Sequence, residues 1–343
     1  MFKRGGKLII LVVLILILLI LNLLLGSVKI PVNDTLSILF GDRSNEIFSN
    51  IILKSRLPQA LVAIVAGAGL AVSGLQMQTI FRNPLAGPSV LGISNGASLG
   101  VAMVVLMSSS LAGVSLSRMG YVGDAAISIA AIIGSLAVMA LIVYIARKVK
   151  GNVTLLIIGV MIGYLVTAIV GVLKFFSSEE DVKAYVVWGL GSFARVSGDQ
   201  MLLFVTMMIL LLPLSFLLVK SLNLMLLGDD YAKNLGLNVS RARTLVILNS
   251  GVLVAIVTAY CGPIMFIGLA VPHLCRALFK SSDHKVLVPA TMLAGAALAL
   301  LCSLVARMPG FEGALPVNSV TALIGAPIIA SVIFRKRRES DGE

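Results

Sequence analysis

The sequence predicts an all-α, polytopic membrane protein with about ten transmembrane helices, a span taking roughly 20 residues, and with short cytoplasmic helices between some of them. Three observations predict it. Of 343 residues, 59% are hydrophobic and only 12% charged, against about 45–50% and about 25% in soluble domains; mean hydropathy is +1.06. The apolar residues fall into separate runs of spanning length. The excess of 27 basic over 15 acidic residues, a net charge of +12, sorts to one side of the resulting threading, which reads as topology rather than as a nucleic-acid surface. A soluble enzyme or a disordered chain is excluded, because so few charges cannot form a polar skin. Cys261, Cys275 and Cys302 are odd in number and lie in apolar stretches, so no disulfide framework is expected.

The first run, Lys7 to Leu25, follows the basic start Met1-Phe2-Lys3-Arg4. A signal peptide begins the same way, but no small-x-small cleavage site follows and the run is a full span long, so a retained helix is expected. Breaks at charge, proline and glycine then delimit spans at 57–80, 90–108, 124–147, 153–176, 200–220, 242–260, 264–279, 286–306 and 317–334. The stretch 264–279 is short and contains Pro272-His273, so a half-helix or re-entrant segment is an alternative there. Gly92, Gly96 and Gly100, and Gly159 and Gly163, recur at helix-packing spacing. Close packing within the bundle is the expected use, and lining a path the alternative.

Threading with the N-terminus inside places 18 of the 27 basic residues on the inner side, Lys150 and the Arg335–Arg338 cluster among them. Six of the 15 acids join them, so the inner side carries the whole +12 and the outer side balances. Cationic loops resist translocation, which predicts both termini in the cytoplasm and an even span count.

No G-x-x-x-x-G-K-[ST] phosphate loop occurs, and Leu224 to Asp230, a hydrophobic run ending in acids, does not replace one. His273 and His284 form no H-E-x-x-H, and no serine sits in G-x-S-x-G. Every Asp and Glu falls in a loop or near a span end, so no proton relay crosses the bilayer. These absences weigh against two rivals, an ion-coupled secondary transporter and an intramembrane enzyme. They predict a chain without catalytic residues, without metal or cofactor of its own, and powered by a partner.

Three segments are neither span nor plain loop. Gln78 to Pro88 holds two prolines, Pro84 and Pro88, and places Asn83 at the inner mouth, either as a loop cap or as a residue pairing across a symmetry axis. Leu226 to Arg243 is too polar to span; Asp229 and Asp230 suit a helix start and Gly236 its stop, and a second helix starting near Ser240 runs into the seventh span. It reads as a cytoplasmic docking knob, an amphipathic surface linker being the alternative. Ser177 to Gly191 carries Glu179-Glu180-Asp181 and Trp188, fitting an outer interfacial helix or an aromatic anchor.

In order along the chain stand Arg56-Leu57-Pro58, Ser73-Gly74 with Gln78, Asn83-Pro84-Leu85-Ala86 with Pro88, Leu91-Gly92 and Gly96-Ala97. Then come Leu227-Gly228, Ala232, Leu235-Gly236-Leu237, Gly262-Pro263-Ile264, Phe266-Ile267-Gly268-Leu269, Pro272-His273, Arg276, and Pro316 with Thr321 to Pro327. This ordered set, covering about residues 50 to 330, resembles the membrane permease of the ATP-binding-cassette importers for cobalamin, iron-siderophores and haem, the type II importers.

The resemblance implies a single permease domain, 1–343, with a coupling region at about 226–241, working as a homodimer in the bacterial inner membrane. It implies two cytoplasmic ATPase subunits, which bind the ATP and Mg, and a periplasmic or lipid-anchored substrate-binding protein. ATPase coupling maps to Leu227, Gly228, Asp229, Asp230, Ala232, Leu235, Gly236 and Leu237. The cytoplasmic gate maps to Asn83 and to Val153-Thr154, where the best-known member has a small polar pair instead. Binding-protein docking maps to Arg56 and Arg307. Glu312-Gly313-Ala314-Leu315-Pro316 is looser than the family's Glu-Leu-Pro motif. The implied cargo is a metal chelate, iron-siderophore before haem, with cobalamin as the alternative.

Overall fold

A computed structural model describes residues 2–26, 28–112, 120–149, 152–196, 198–308 and 314–341. Lys150 and the Glu312-Gly313 pair lie outside them. Among the described residues every regular element is helical. In chain order they are α1 (Phe2–Leu24), α2 (Val32–Leu39), α3 (Glu46–Asn50), α4 (Leu57–Phe81), α5 (Ile93–Ala112), α6 (Tyr121–Lys148), α7 (Asn152–Phe175) and α8 (Glu179–Gly189). There follow α9 (Asp199–Leu211), α10 (Leu214–Leu217), α11 (Val219–Leu226), α12 (Asp229–Asn234), α13 (Val239–Cys261), α14 (Ile267–Phe279), α15 (His284–Ala306) and α16 (Val317–Asp341).

Among the described residues, seven stretches are long and apolar enough to cross a membrane: Arg4–Leu24, Glu46–Phe81, Val122–Ala146, Val153–Phe175, Gln200–Leu217, Val239–Cys261 and His284–Ala306. Ile93–Ser108, Ile267–Phe279 and Val317–Ser331 are apolar but shorter. Together they match the ten expected segments in order. At 13 residues, α14 rises only ~20 Å at 1.5 Å per residue, less than the ~30 Å of a hydrocarbon core.

Two spans differ from the sequence reading. The second starts earlier: Asn45 accepts from the Phe48 amide at 3.1 Å, and helix runs from Glu46 through a π-wound stretch, Ile51–Arg56, into α4. The sixth is broken, because Pro213 has no N–H to continue the ladder; α9 stops at Leu211 and the chain restarts as α10 and then α11.

The chain divides into two compact units, each assembled from separate segments. Met1–Val72, Ser192–Phe216 and Met265–Glu343 form the first; Ser73–Gly191 and Leu217–Ile264 form the second. In the first, α15 packs against α1, α14 and α16. In the second, α5 packs against α6, α7, α8 and α13. Lipid tails are as apolar as leucine, so packing here depends on close backbone approach at small residues. A Cβ on Gly134 would stand 2.1 Å from the Gly96 carbonyl oxygen, and one on Gly100 would stand 2.1 Å from that of Ala130. The first unit repeats the device: a Cβ on Gly67 would meet the Gly295 carbonyl at 2.3 Å, and the reverse holds. Gly159 lies equally close to the Val90 carbonyl and Gly163 to the Asn95 amide, so the glycines noted in the sequence serve packing within the unit. Gly134→Val is expected to force α5 and α6 apart and cost ~1–3 kcal/mol, as overpacking does, which a thermal melt of the detergent-solubilised protein would read.

Candidate functional site

The expected coupling segment forms a short helix bounded by two turns. After α11, Gly228 takes φ 112° and α12 starts at Asp229 and Asp230. The helix ends in a Schellman turn: the Leu237 amide donates to the Ala232 carbonyl and the Gly236 amide to that of Lys233, both at 2.9 Å. Gly236 sits there at φ 84°, a region that costs an ordinary residue about 1–2 kcal/mol. Asn238 then accepts from the Arg241 amide at 3.0 Å and starts α13. The second short helix expected near Ser240 is thus the first turn of α13 itself.

Ala232 is fully buried, which fixes the segment's inner face. Its outer side is mixed: Leu227, just before α12, and Tyr231 and Leu235 are 58%, 66% and 55% exposed, alongside the exposed Asp230, Lys233 and Asn234. Asp230 pairs with Lys233 at 3.0 Å on the surface, where such a pair contributes little.

The Asn83 turn uses the same local chemistry. At the end of α4 the Arg82 amide donates to the Thr79 carbonyl and the Asn83 amide to that of Gln78, each at 3.2 Å. Arg82 occupies the left-handed position, φ 46°, that Gly236 takes after α12. Asn83 Oδ1 accepts from the Leu85 amide at 2.9 Å and its carbonyl from Ala86 at 3.1 Å. Its side-chain oxygen therefore shapes the loop, and the amide group stays partly exposed. The Pro88–Leu91 turn that follows packs on α7 through Gly159. Val153 and Thr154 form the exposed first turn of α7, Val153 at 70%.

The two segments meet at one carboxylate. Asp229 Oδ1 accepts from Arg82 Nη2 and Asp229 Oδ2 from Arg243 Nη2, both at 2.7 Å. In the sequence, Arg82 and Arg243 stand only as charges that set topology. The missed signal is an arginine placed where a helix stop favours glycine, which implies that its side chain has a task.

Arg56 and Arg307 also come together, in the first unit. Arg56 is only 3% exposed. It donates to the carbonyls of Leu23 at 2.6 Å and Leu24 at 2.9 Å, and also to that of Val28, capping the end of α1. Arg307 donates to Asn22 Oδ1 at 2.5 Å and to the Ser303 carbonyl at 3.3 Å. Asn22, fully buried, donates onward to the carbonyls of Leu18 and Leu300. Burial and then the neighbouring Arg56 pull the Arg307 pKa down to about 10, which leaves it charged at neutral pH. Arg307 remains partly exposed, whereas Arg56 faces inward in this subunit.

The expected helix after the fifth span is α8. Ser178 accepts from the Asp181 amide at 3.3 Å and donates to its carboxylate at 2.9 Å. Trp188 is 4% exposed beside Tyr185, with ring centroids 6.1 Å apart. Packed inside its unit, it is not an anchor displayed to the membrane interface.

Residues 14–335 match the FecCD transport family. The chain belongs to this family. Among relatives, the hemin transport system permease protein of Yersinia pestis is 37% identical over 305 residues, covering 89% of each chain. The vitamin B12 import system permease protein of Klebsiella pneumoniae is 37% identical over 285 residues, 82% of each chain. A solved structure described as the inward-facing conformation of an ABC transporter assigned to the metal-chelate type superposes with TM-score 0.83 at 32% identity. It covers 96% of this chain and 99% of that one. A second, PsaBC from Streptococcus pneumoniae, reaches TM-score 0.51 at 16% identity and shows the fold alone. This FecCD protein is thus an ABC importer permease, a transport subunit rather than an enzyme.

Proposed function

We propose that this permease works as a homodimer that moves an iron chelate, a ferric siderophore before haem, from periplasm to cytoplasm across the bacterial inner membrane. Two ATPase subunits hold the ATP and Mg and dock on Leu227 to Leu237; a periplasmic or lipid-anchored binding protein delivers the cargo. The observation that carries the reading is the set of large apolar side chains, Leu227, Tyr231 and Leu235, left exposed on a segment otherwise pinned by Ala232 and Asp229. Solvent-facing apolar groups gathered on one short segment suit a partner protein's surface. Asn83, Val153 and Thr154 gate the inner mouth, and both termini lie in the cytoplasm. Arg307 presents charge to the binding protein, while Arg56 braces the rim from behind.

The vitamin B12 relative supports cobalamin as a second reading. Reconstitution in vesicles with the ATPase and binding protein encoded beside it tests both. ATP-dependent uptake of a radiolabelled ferric siderophore is expected, with neither haem nor cobalamin accumulated faster. Uptake by the permease alone, driven by an ion gradient, would overturn the importer reading. Faster cobalamin or haem uptake would overturn only the cargo.

A further inference from the structure

Asp229 divides its carboxylate between two elements, Oδ1 to Arg82 on the Asn83 turn and Oδ2 to Arg243 on α13. Two features indicate that this is one of two arrangements. Arg82 holds a left-handed φ of 46°, where glycine is the unstrained choice, and its guanidinium reaches Asp229 from there. The Arg243 side chain is 14% exposed, and its Nε is buried without a hydrogen-bond partner. A buried unsatisfied donor is costly. Nε–H and Nη2–H lie side by side on one edge of a guanidinium, the geometry that grips a carboxylate with two parallel bonds. A swing of Oδ1 from Arg82 to Arg243 Nε would satisfy that donor and free the turn.

We propose that Asp229 is a two-position latch between the α12 segment and the Asn83 turn: bridged to Arg82 it holds the turn, and paired side-on with Arg243 it releases it. Asp229, Arg82 and Arg243 are positioning residues, acting on the gate through the turn. The proposal rests on the reading that the α12 segment docks an ATPase, whose differential binding to the two arrangements supplies the bias.

The permease–ATPase complex, with its binding protein, is tested in vesicles as wild type, Arg82→Gln, Arg243→Lys, Asp229→Asn and Asp229→Glu. Arg82→Gln removes the first seat; Arg243→Lys keeps the charge and removes the two-pronged second seat. Arg82→Gln and Arg243→Lys are expected to retain the ATPase on purification, since both lie outside the docking segment Leu227 to Leu237. Arg82→Gln, Arg243→Lys and Asp229→Asn each lower cargo moved per ATP by about tenfold, within the usual span of allosteric coupling. Asp229→Glu recovers part of it, and Arg82→Gln with Asp229→Asn is no worse than Asp229→Asn alone.

The same latch is read without any ATPase from maleimide labelling of Leu85→Cys, half-exposed on the turn. Arg82→Gln should speed it and Arg243→Lys slow it, each by about fivefold. Equal labelling in both backgrounds overturns the latch, whatever the ATPase does. So do unchanged coupling in Arg82→Gln or additive losses in the double variant. A wild-type chain that never retains an ATPase sinks the importer reading instead, and the labelling arm still decides the latch.

Discussion

Changing Leu227 and Leu235 together to glutamate is expected to strip the ATPase from the purified complex. Both side chains are more than half exposed in the subunit, so the fold should change little, surface substitutions staying within about 0.5 kcal/mol. In a partner's groove each leucine contributes ~1.5–3 kcal/mol. Losing two weakens docking by ~3–6 kcal/mol, or ~10²–10⁴-fold in affinity. Burying a glutamate in the same groove adds to the loss. Asp230→Ala is the polar comparison within α12: its carboxylate is 96% exposed and pairs with Lys233 at 3.0 Å, so its loss should weaken co-elution far less than that of the two leucines. Size-exclusion recovery of the ATPase with each variant is the measurement. Retention by the double glutamate variant would place the docking face elsewhere.

Arg56→Ala should be the most damaging single change at the other site. The guanidinium is buried and serves three carbonyls at and beyond the end of α1, those of Leu23, Leu24 and Val28. Helix ends leave such carbonyls without intrahelical partners. The Leu23 acceptor is buried and those of Leu24 and Val28 are part-buried; with about 1–3 kcal/mol for a stranded buried acceptor, a loss near the top of that range is expected. A thermal melt in detergent reads it, and Arg56→Lys should recover only part, since an ammonium cannot span the same acceptors. The docking role implied by the sequence makes the opposite prediction, a normal melt with weakened capture of the binding protein. Arg307→Glu separates the two: partly exposed, it should lose salt-sensitive capture with a smaller fall in stability.

The spans were legible because each is a local property. A run of apolar residues bounded by charge, Pro or Gly specifies a helix in lipid whatever surrounds it. The α12 segment was legible for a related reason, its two acids and Gly236 being start and stop signals within eight residues of one another. The break at Pro213 was visible in the letters but absorbed into an apolar run, and the π-wound entry to α4 left no compositional mark.

The candidate site was legible as three separate stretches. Asn83 and Leu227–Leu237 carried turn and capping signals and Val153-Thr154 was mapped by the family resemblance alone, whereas Arg82, Arg243 and Asn22 carried neither. Arg82 and Asp229 stand 147 positions apart, and Asn22 and Arg307 stand 285 apart. No spacing rule reaches across such distances.

By itself, then, the sequence determined a helical membrane protein of about ten segments, its charge asymmetry, and a short capped helix between the sixth and seventh spans, because hydropathy, capping and turn chemistry act over a few residues. The tertiary structure decided which charges are available and which are already engaged. Arg56, expected at a docking face, is buried in this subunit and caps the end of α1, and Asp229, which starts α12 as expected, is also the carboxylate shared by Arg82 and Arg243. The reason is physical: a charge's role is set by its burial and its partners, and both are fixed only when distant segments pack.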